Sequence, residues 1–129
     1  METKQVIVIR KDLNMRRGKQ IAQGAHASMK VLLDRGNFVA AINKHSYMMA
    51  LTEEMHVWVA GLFTKVVVGV DSEEKLLNIH EMAKEANVPT SLIMDAGLTE
   101  FKEPTYTAVA VGPAKNEDVD RITGDLKLL

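Results

Sequence analysis

The stretch Ser91–Phe101, SLIMDAGLTEF, decides how this chain is read. A short apolar run, Ser91–Met94, ends in an acid, Asp95. Ala96 and Gly97 then suit a tight turn, and Thr99 offers a hydroxyl four residues after the acid. An apolar run of this length bounded by turn residues suits a buried strand. In sheets built from alternating strands and helices, ligands sit beyond the carboxyl ends of the strands. That rule places Asp95 where a ligand would be. The bland alternative is an Asx-type turn, with Asp95 accepting from the backbone near Gly97. Both readings stay open at this point.

Working outward, Tyr106–Val111 (YTAVAV), Val6–Ile9 (VIVI) and Lys65–Val70 (KVVVGV) supply three more strands. The continuous β-branched run Val6–Ile9 suits burial on both faces. Between them the spacing predicts helices. Over Lys19–Leu33, the residues Ile21, Ala22, Ala25, Met29, Leu32 and Leu33 form one stripe expected to face the core. A second helix is expected over Phe38–Leu51. Thr52, followed by Glu53 and Glu54, reads as a new N-cap, with Met55, Trp58, Val59 and Leu62 on one face. Asp71 or Ser72 caps a helix carrying Leu76, Ile79, His80 and Ala83, and Pro89 closes that region. Asn116–Ile122 adds a last helical turn or two. The tail Leu126–Leu129 (LKLL) either adds an edge strand or packs down. Strands alternating with helices imply an α/β fold. The short link before Tyr106 makes the sheet mixed. All 129 residues read as a single domain, 1–129.

Composition narrows the function. Apolar residues make up 47% and charged residues 26%, ordinary values for a globular protein. No apolar stretch approaches the ~20 residues that cross a membrane. The start lacks the features of a signal peptide, so a cytoplasmic home is expected. With no cysteine, disulfides, thiolate metal sites and thiol nucleophiles are excluded. No Walker or dinucleotide fingerprint is present. His45, His56 and His80 have no metal-ligand spacing and read as structural. Net charge is -1, but residues 1–35 carry eight Lys/Arg against three acids, and residues 71–129 carry six against twelve. The N-terminal third is therefore basic, which favours an anionic partner.

Within RRGKQIAQGAHASMK, Lys19, Gln23, His26 and Lys30 fall within about 60° on a helical wheel at ~100° per residue. A cation, an amide and an imidazole thus share a polar face. Gly18 lets a ligand approach the backbone, and a helix starting there would present free N–H groups to an anion. Arg16 and Arg17 add phosphate contacts. Asp95, Thr99 and Thr107 form the second cluster, with a carboxylate able to act as or orient a base and hydroxyls able to hold water.

Taken together, VIVIRKDLNMRRGKQIAQGAHAS, KVVVGVDSEEKL, SLIMDAGLTEF and TAVAVGPAKNEDVDRITGDLKLL resemble the peptidyl-tRNA hydrolases of the archaeal and eukaryotic type. The match spans roughly residues 4–33 and 64–129. The resemblance implies a three-layer α/β/α fold with a four-stranded mixed β-sheet, often dimeric. It implies hydrolysis of the ester between a peptide and the 3′ ribose of tRNA, without metal or cofactor. By motif position it assigns catalysis to Lys19, His26, Asp95, Thr99 and Thr107, and matches Gln23 to a polar position. Arg10, Lys11, Arg16, Arg17, Gln23 and Lys30 are expected to contact tRNA. The chain departs from the family pattern at Arg16, where glycine is usual, at Leu98, where Arg or His is common, at Asp125, and across residues 36–63. The rival readings are a non-enzymatic RNA-binding module of the same fold and a hydrolase of a different small substrate.

Overall fold

The computed structural model describes residues 1–41, 44–98 and 100–129. The four expected strands form, as β1 (Thr3–Arg10), β4 (Lys65–Val70), β5 (Thr90–Asp95) and β6 (Thr105–Lys115). A short fifth strand, β7 (Lys127–Leu128), extends them. The sheet order is β5-β6-β1-β4-β7. β1 pairs in parallel with β4 and antiparallel with β6, so the sheet is mixed. It has five strands rather than the expected four, because the LKLL tail pairs antiparallel with β4 at Val68 and Gly69.

The β-branched run of β1 is buried on both faces because helices lie on both sides of it. Val6 and Val8 join Val68, Val109 and Val111 against α3 (Glu73–Glu85) and α4 (Asn116–Thr123). Ile7 and Ile9 join Ala108, Ala110 and Ile93 on the other face, beneath α1 (Arg17–Leu33). α3 is capped by Ser72, whose Oγ accepts from Lys75 N at 3.1 Å. α2 (Glu53–Ala60) is capped by Thr52 in the same way. Its Trp58 is fully buried and donates to Thr64 O at 2.8 Å.

Two expectations fail. The helix predicted over Phe38–Leu51 is instead an antiparallel strand pair, β2 (Gly36–Ala41) and β3 (Lys44–Met49). Phe38 faces Tyr47 across it, edge to face, with ring centroids 5.0 Å apart. Cross-strand aromatic pairs of this kind stabilise sheets. The base of the pair is closed by Ala50 N donating to Arg35 O at 3.1 Å, and the Tyr47 hydroxyl donates to Leu33 O.

The second failure is the orientation of α1. Its buried residues are Gln23, Gly24, Ala27 and Val31, on the far side from the predicted stripe. Ile21 is 66% exposed and Met29 60%. The helix seats itself through small residues. A Cβ on Gly24 would already touch Ile7 Cγ2 at 3.5 Å, and Ala27 meets a floor of alanines. Buried polar anchors fix the seat further: Ser28 Oγ donates to Gln5 Oε1 at 2.6 Å, and Ser91 Oγ donates to Ala27 O at 2.8 Å.

Candidate functional site

The end of β5 and the start of α1 meet on one side of the sheet. Asp95 is the last residue of β5. Its Oδ1 accepts from Lys19 Nζ at 2.7 Å and from Gln23 Nε2 at 3.3 Å. Its Oδ2 accepts from Gly97 N at 3.0 Å. The Asx-type turn of the sequence reading forms through one oxygen, and the other oxygen receives a cation and an amide from α1. The turn needs glycine. Gly97 has φ +84°, and a Cβ there would lie 2.6 Å from the Glu103 backbone, so only a residue without one fits. The Lys19 ammonium, together with the Gly97 amide, holds the Asp95 carboxyl below the usual carboxylate range. Asp95 is thus ionised at neutral pH.

Gln23 was expected on a substrate-facing stripe, but it is only 2% exposed. Its Oε1 accepts from Thr107 Oγ1 at 2.5 Å while its Nε2 donates to Asp95. Thr107 is itself fully buried in β6. The hydroxyl therefore fixes which way the Gln23 amide points, and the amide in turn braces the carboxylate. Lys19 is flanked by Phe101, whose ring centroid lies 5.5 Å from Nζ. Phe101 also packs on the core beneath α1. Nothing in the sequence pattern marked Phe101, since its role depends on where the loop after β5 returns.

The other candidates are spread more widely. His26 is exposed and opens onto a groove between α1 and β5, shared with Met94. It is not among the described hydrogen-bond partners of Asp95, which are Lys19, Gln23 and Gly97. The Thr99 assignment lies outside the described residues. Arg16 and Arg17 stand exposed at the start of α1, and Arg16 Nε lies 3.9 Å from Glu100. Lys30 is exposed further along the helix and pairs with Asp34 at 3.0 Å. Lys11 is exposed over β4, beside Gly69 and Asp71. Arg10 turns inward: its guanidinium donates to both oxygens of Asp12, at 3.2 and 2.7 Å, and to Tyr106 O at 3.0 Å. It braces the β1–β6 junction. The basic N-terminal third thus divides into a cluster at the head of α1 and separate cations elsewhere. Burial lowers the His80 pKa. Its Nδ1 lies 3.1 Å from Thr90 Oγ1, which donates to Ala110 O, an arrangement that suits a structural histidine. Among the described residues, no three His, Asp or Glu side chains converge as metal ligands would.

The head of α1 has no side-chain cap and no acid in its first turn. Its free N–H groups and the positive end of its dipole stand beside Arg16, Arg17 and Lys19, an arrangement that favours an anion. A carboxylate-braced lysine beside an anion-binding helix end suits a substrate that couples a phosphate chain to an acyl group. The family model described as Peptidyl-tRNA hydrolase PTH2 matches residues 3–129. The chain belongs to the peptidyl-tRNA hydrolase family. It is 44% identical over 126 residues to a peptidyl-tRNA hydrolase of Methanocaldococcus jannaschii, covering 98% of this chain and 99% of that one. It is 43% identical over 129 residues to one from Sulfurisphaera tokodaii, covering all of both chains. A Halobacterium salinarum relative of the same name is 45% identical over 127 residues, covering 97% of this chain and 98% of its own. Within this chain, D-A-G forms the Asx turn at Asp95–Gly97, and G-K-x-x-A-Q supplies the Lys19–Gln23 pair that reaches it.

Proposed function

We propose that this chain hydrolyses the ester between a peptide, or an N-blocked amino acid, and the 3′ end of tRNA, freeing the tRNA for reuse in the cytoplasm. The observation that carries this reading is the connected set in which Thr107 braces Gln23, and Gln23 and Lys19 both meet Asp95. Ester hydrolysis requires an oriented water, a counter-charge for the oxyanion and a proton for the leaving oxygen. Asp95, ionised and fixed from two sides, orients the attacking water, accepts its proton and returns that proton to the leaving 3′ oxygen as the ester C–O bond breaks. Lys19 faces the charge that develops on the carbonyl oxygen. Thr107 and Gln23 are positioning residues, since both side chains are turned away from solvent. His26 is the other candidate base, but it lies seven residues along α1 from Lys19, about 10 Å at ~1.5 Å per residue. That separation favours Asp95 for contact with the attacking water. The test is release of free tRNA from N-acetyl-aminoacyl-tRNA, with substrate in excess so that turnover is distinguished from binding.

Lys11, Arg16 and Arg17 are assigned to tRNA phosphates, while Lys30 is paired with Asp34. Three such contacts predict that Kd for tRNA rises roughly 20- to 40-fold between ~50 and ~200 mM salt. A filter-binding or anisotropy titration checks this, and a flat dependence would remove the assignment.

We also assign a self-pairing surface. α1 leaves β4 uncovered on its own face of the sheet. The outward stripe Ile21, Ala25 and Met29, together with Phe63, Val67 and Leu129, lines an apolar trough of about 630 Å³. A second copy would bury it. Ile21→Lys is expected to shift the sedimenting species from dimer to monomer. A chain that sediments as a monomer before substitution would refute the pairing.

A further inference from the structure

We propose that the groove between α1 and the open edge of β5 holds the peptide part of the substrate, as an extended strand added to the sheet. This rests on the ester-hydrolysis reading above and extends it to the other half of the substrate. The groove encloses about 750 Å³ between His26, Met29, Lys30 and Leu33 of α1 and Leu92 and Met94 of β5. β5 is the terminal strand of its sheet, and among the described residues it pairs with β6 alone. Its other edge therefore offers backbone N–H and C=O groups to an incoming chain. Exposed strand edges are usually guarded by lysine, proline or a covering element. Within Thr90–Asp95 there is no lysine and no proline.

The direction of the groove identifies the occupant. Met94 is the immediate neighbour of Asp95, so a chain lying along β5 ends at the carboxylate assigned to the ester. From Leu92 to Asp95 is about 10 Å at ~3.3 Å per residue, enough for the last three residues of a peptide. Strand addition binds through the main chain and is indifferent to most side chains. The walls suit that indifference. Leu33 and Met94 are exposed, and methionine adapts to varied apolar shapes. The charges at the far end, Lys30 and Asp34, already neutralise each other at 3.0 Å. The ligand class is thus an extended peptide of arbitrary sequence, joined through its carboxyl end to tRNA.

The experiment compares kcat/KM on two substrates with the same tRNA and the same esterified amino acid. One carries N-acetyl only, and the other a tetrapeptide. The unmodified chain is expected to favour the tetrapeptidyl substrate by about 10-fold, chiefly through KM, because added ground-state contacts lower KM. Met94→Glu and Leu33→Glu, both at exposed positions, are expected to bring that ratio toward one, with circular dichroism showing the fold retained. Equal kcat/KM for the two substrates in the unmodified chain would overturn the proposal. So would a ratio that persists in both variants. If Leu33→Glu dissociates a dimer and leaves the ratio intact, the edge belongs to a second copy and the proposal falls. Failure of the unmodified chain to turn over either substrate would remove the hydrolase reading itself, and this proposal with it.

Discussion

Asp95→Asn is expected to lower kcat on N-acetyl-aminoacyl-tRNA by about 10²–10⁴-fold. The substitution keeps the size of the side chain, and its carbonyl can still accept from Gly97 N, so the Asx turn survives. What is lost is the charge that holds Lys19 at 2.7 Å and the group that orients and deprotonates water. The pH profile gives a second readout. The Asp95 carboxyl is held below the usual carboxylate range, first by the Lys19 hydrogen bond and then by the Gly97 amide. Its ionised form therefore persists as pH falls, and activity that depends on it should survive to about pH 5, since an ordinary Asp titrates near ~3.9. The same sign applies to stability. The contribution of this carboxylate is present above its unfolded pKa and is lost as pH falls through its lower folded value. Turnover of Asp95→Asn within a few-fold of the unmodified chain would reject Asp95 as the base.

Lys19→Met is expected to cost about 10²–10³-fold in kcat, the scale of losing one oxyanion donor. Methionine keeps an unbranched apolar stem beside Phe101 and the first turn of α1, so the loss reports the ammonium rather than packing. The two residues form one hydrogen-bonded unit, and groups that act as a unit are not additive. Lys19→Met combined with Asp95→Asn should therefore fall within a few-fold of the worse single variant. Fully multiplicative losses would mean that the two side chains act at separate steps, and the connected set would lose its meaning.

Much of this site was legible in the sequence because it depends on local chemistry. D-A-G marks a turn that only glycine permits at position 97. Thr52 and Ser72 cap the helices that follow them. The β-branched runs are the strands that helices cover on both sides. The convergence of Lys19 and Asp95, 76 residues apart, came from motif resemblance and not from any local pattern. Where the reading failed, the cause was long-range. α1 carries apolar residues on more than one side, so periodicity alone could not choose its buried face. The choice was made by Gly24 and Ala27 fitting a low floor, and by Gln23 finding partners on β5 and β6. Thr107 looked like a hydroxyl for substrate, but it is committed to Gln23. Arg10 looked like a phosphate ligand, but it is committed to Asp12 and Tyr106 O. The strand pair β2–β3 was missed because its support is the cross-strand contact of Phe38 with Tyr47, which a helical reading of Phe38–Leu51 cannot register.

The alanine floor under α1 also governs how far this enzyme can drift. Ala27, Ala108 and Ala110 are fully buried against one another's elements, and enlarging a well-packed core position forces its neighbours to shift. A single added methylene there would act as a wedge, lifting the helix and drawing the lysine off its carboxylate. Residues that never meet the substrate should thus be as intolerant of enlargement as those that do, while the outer rim of the helix stays free to diversify.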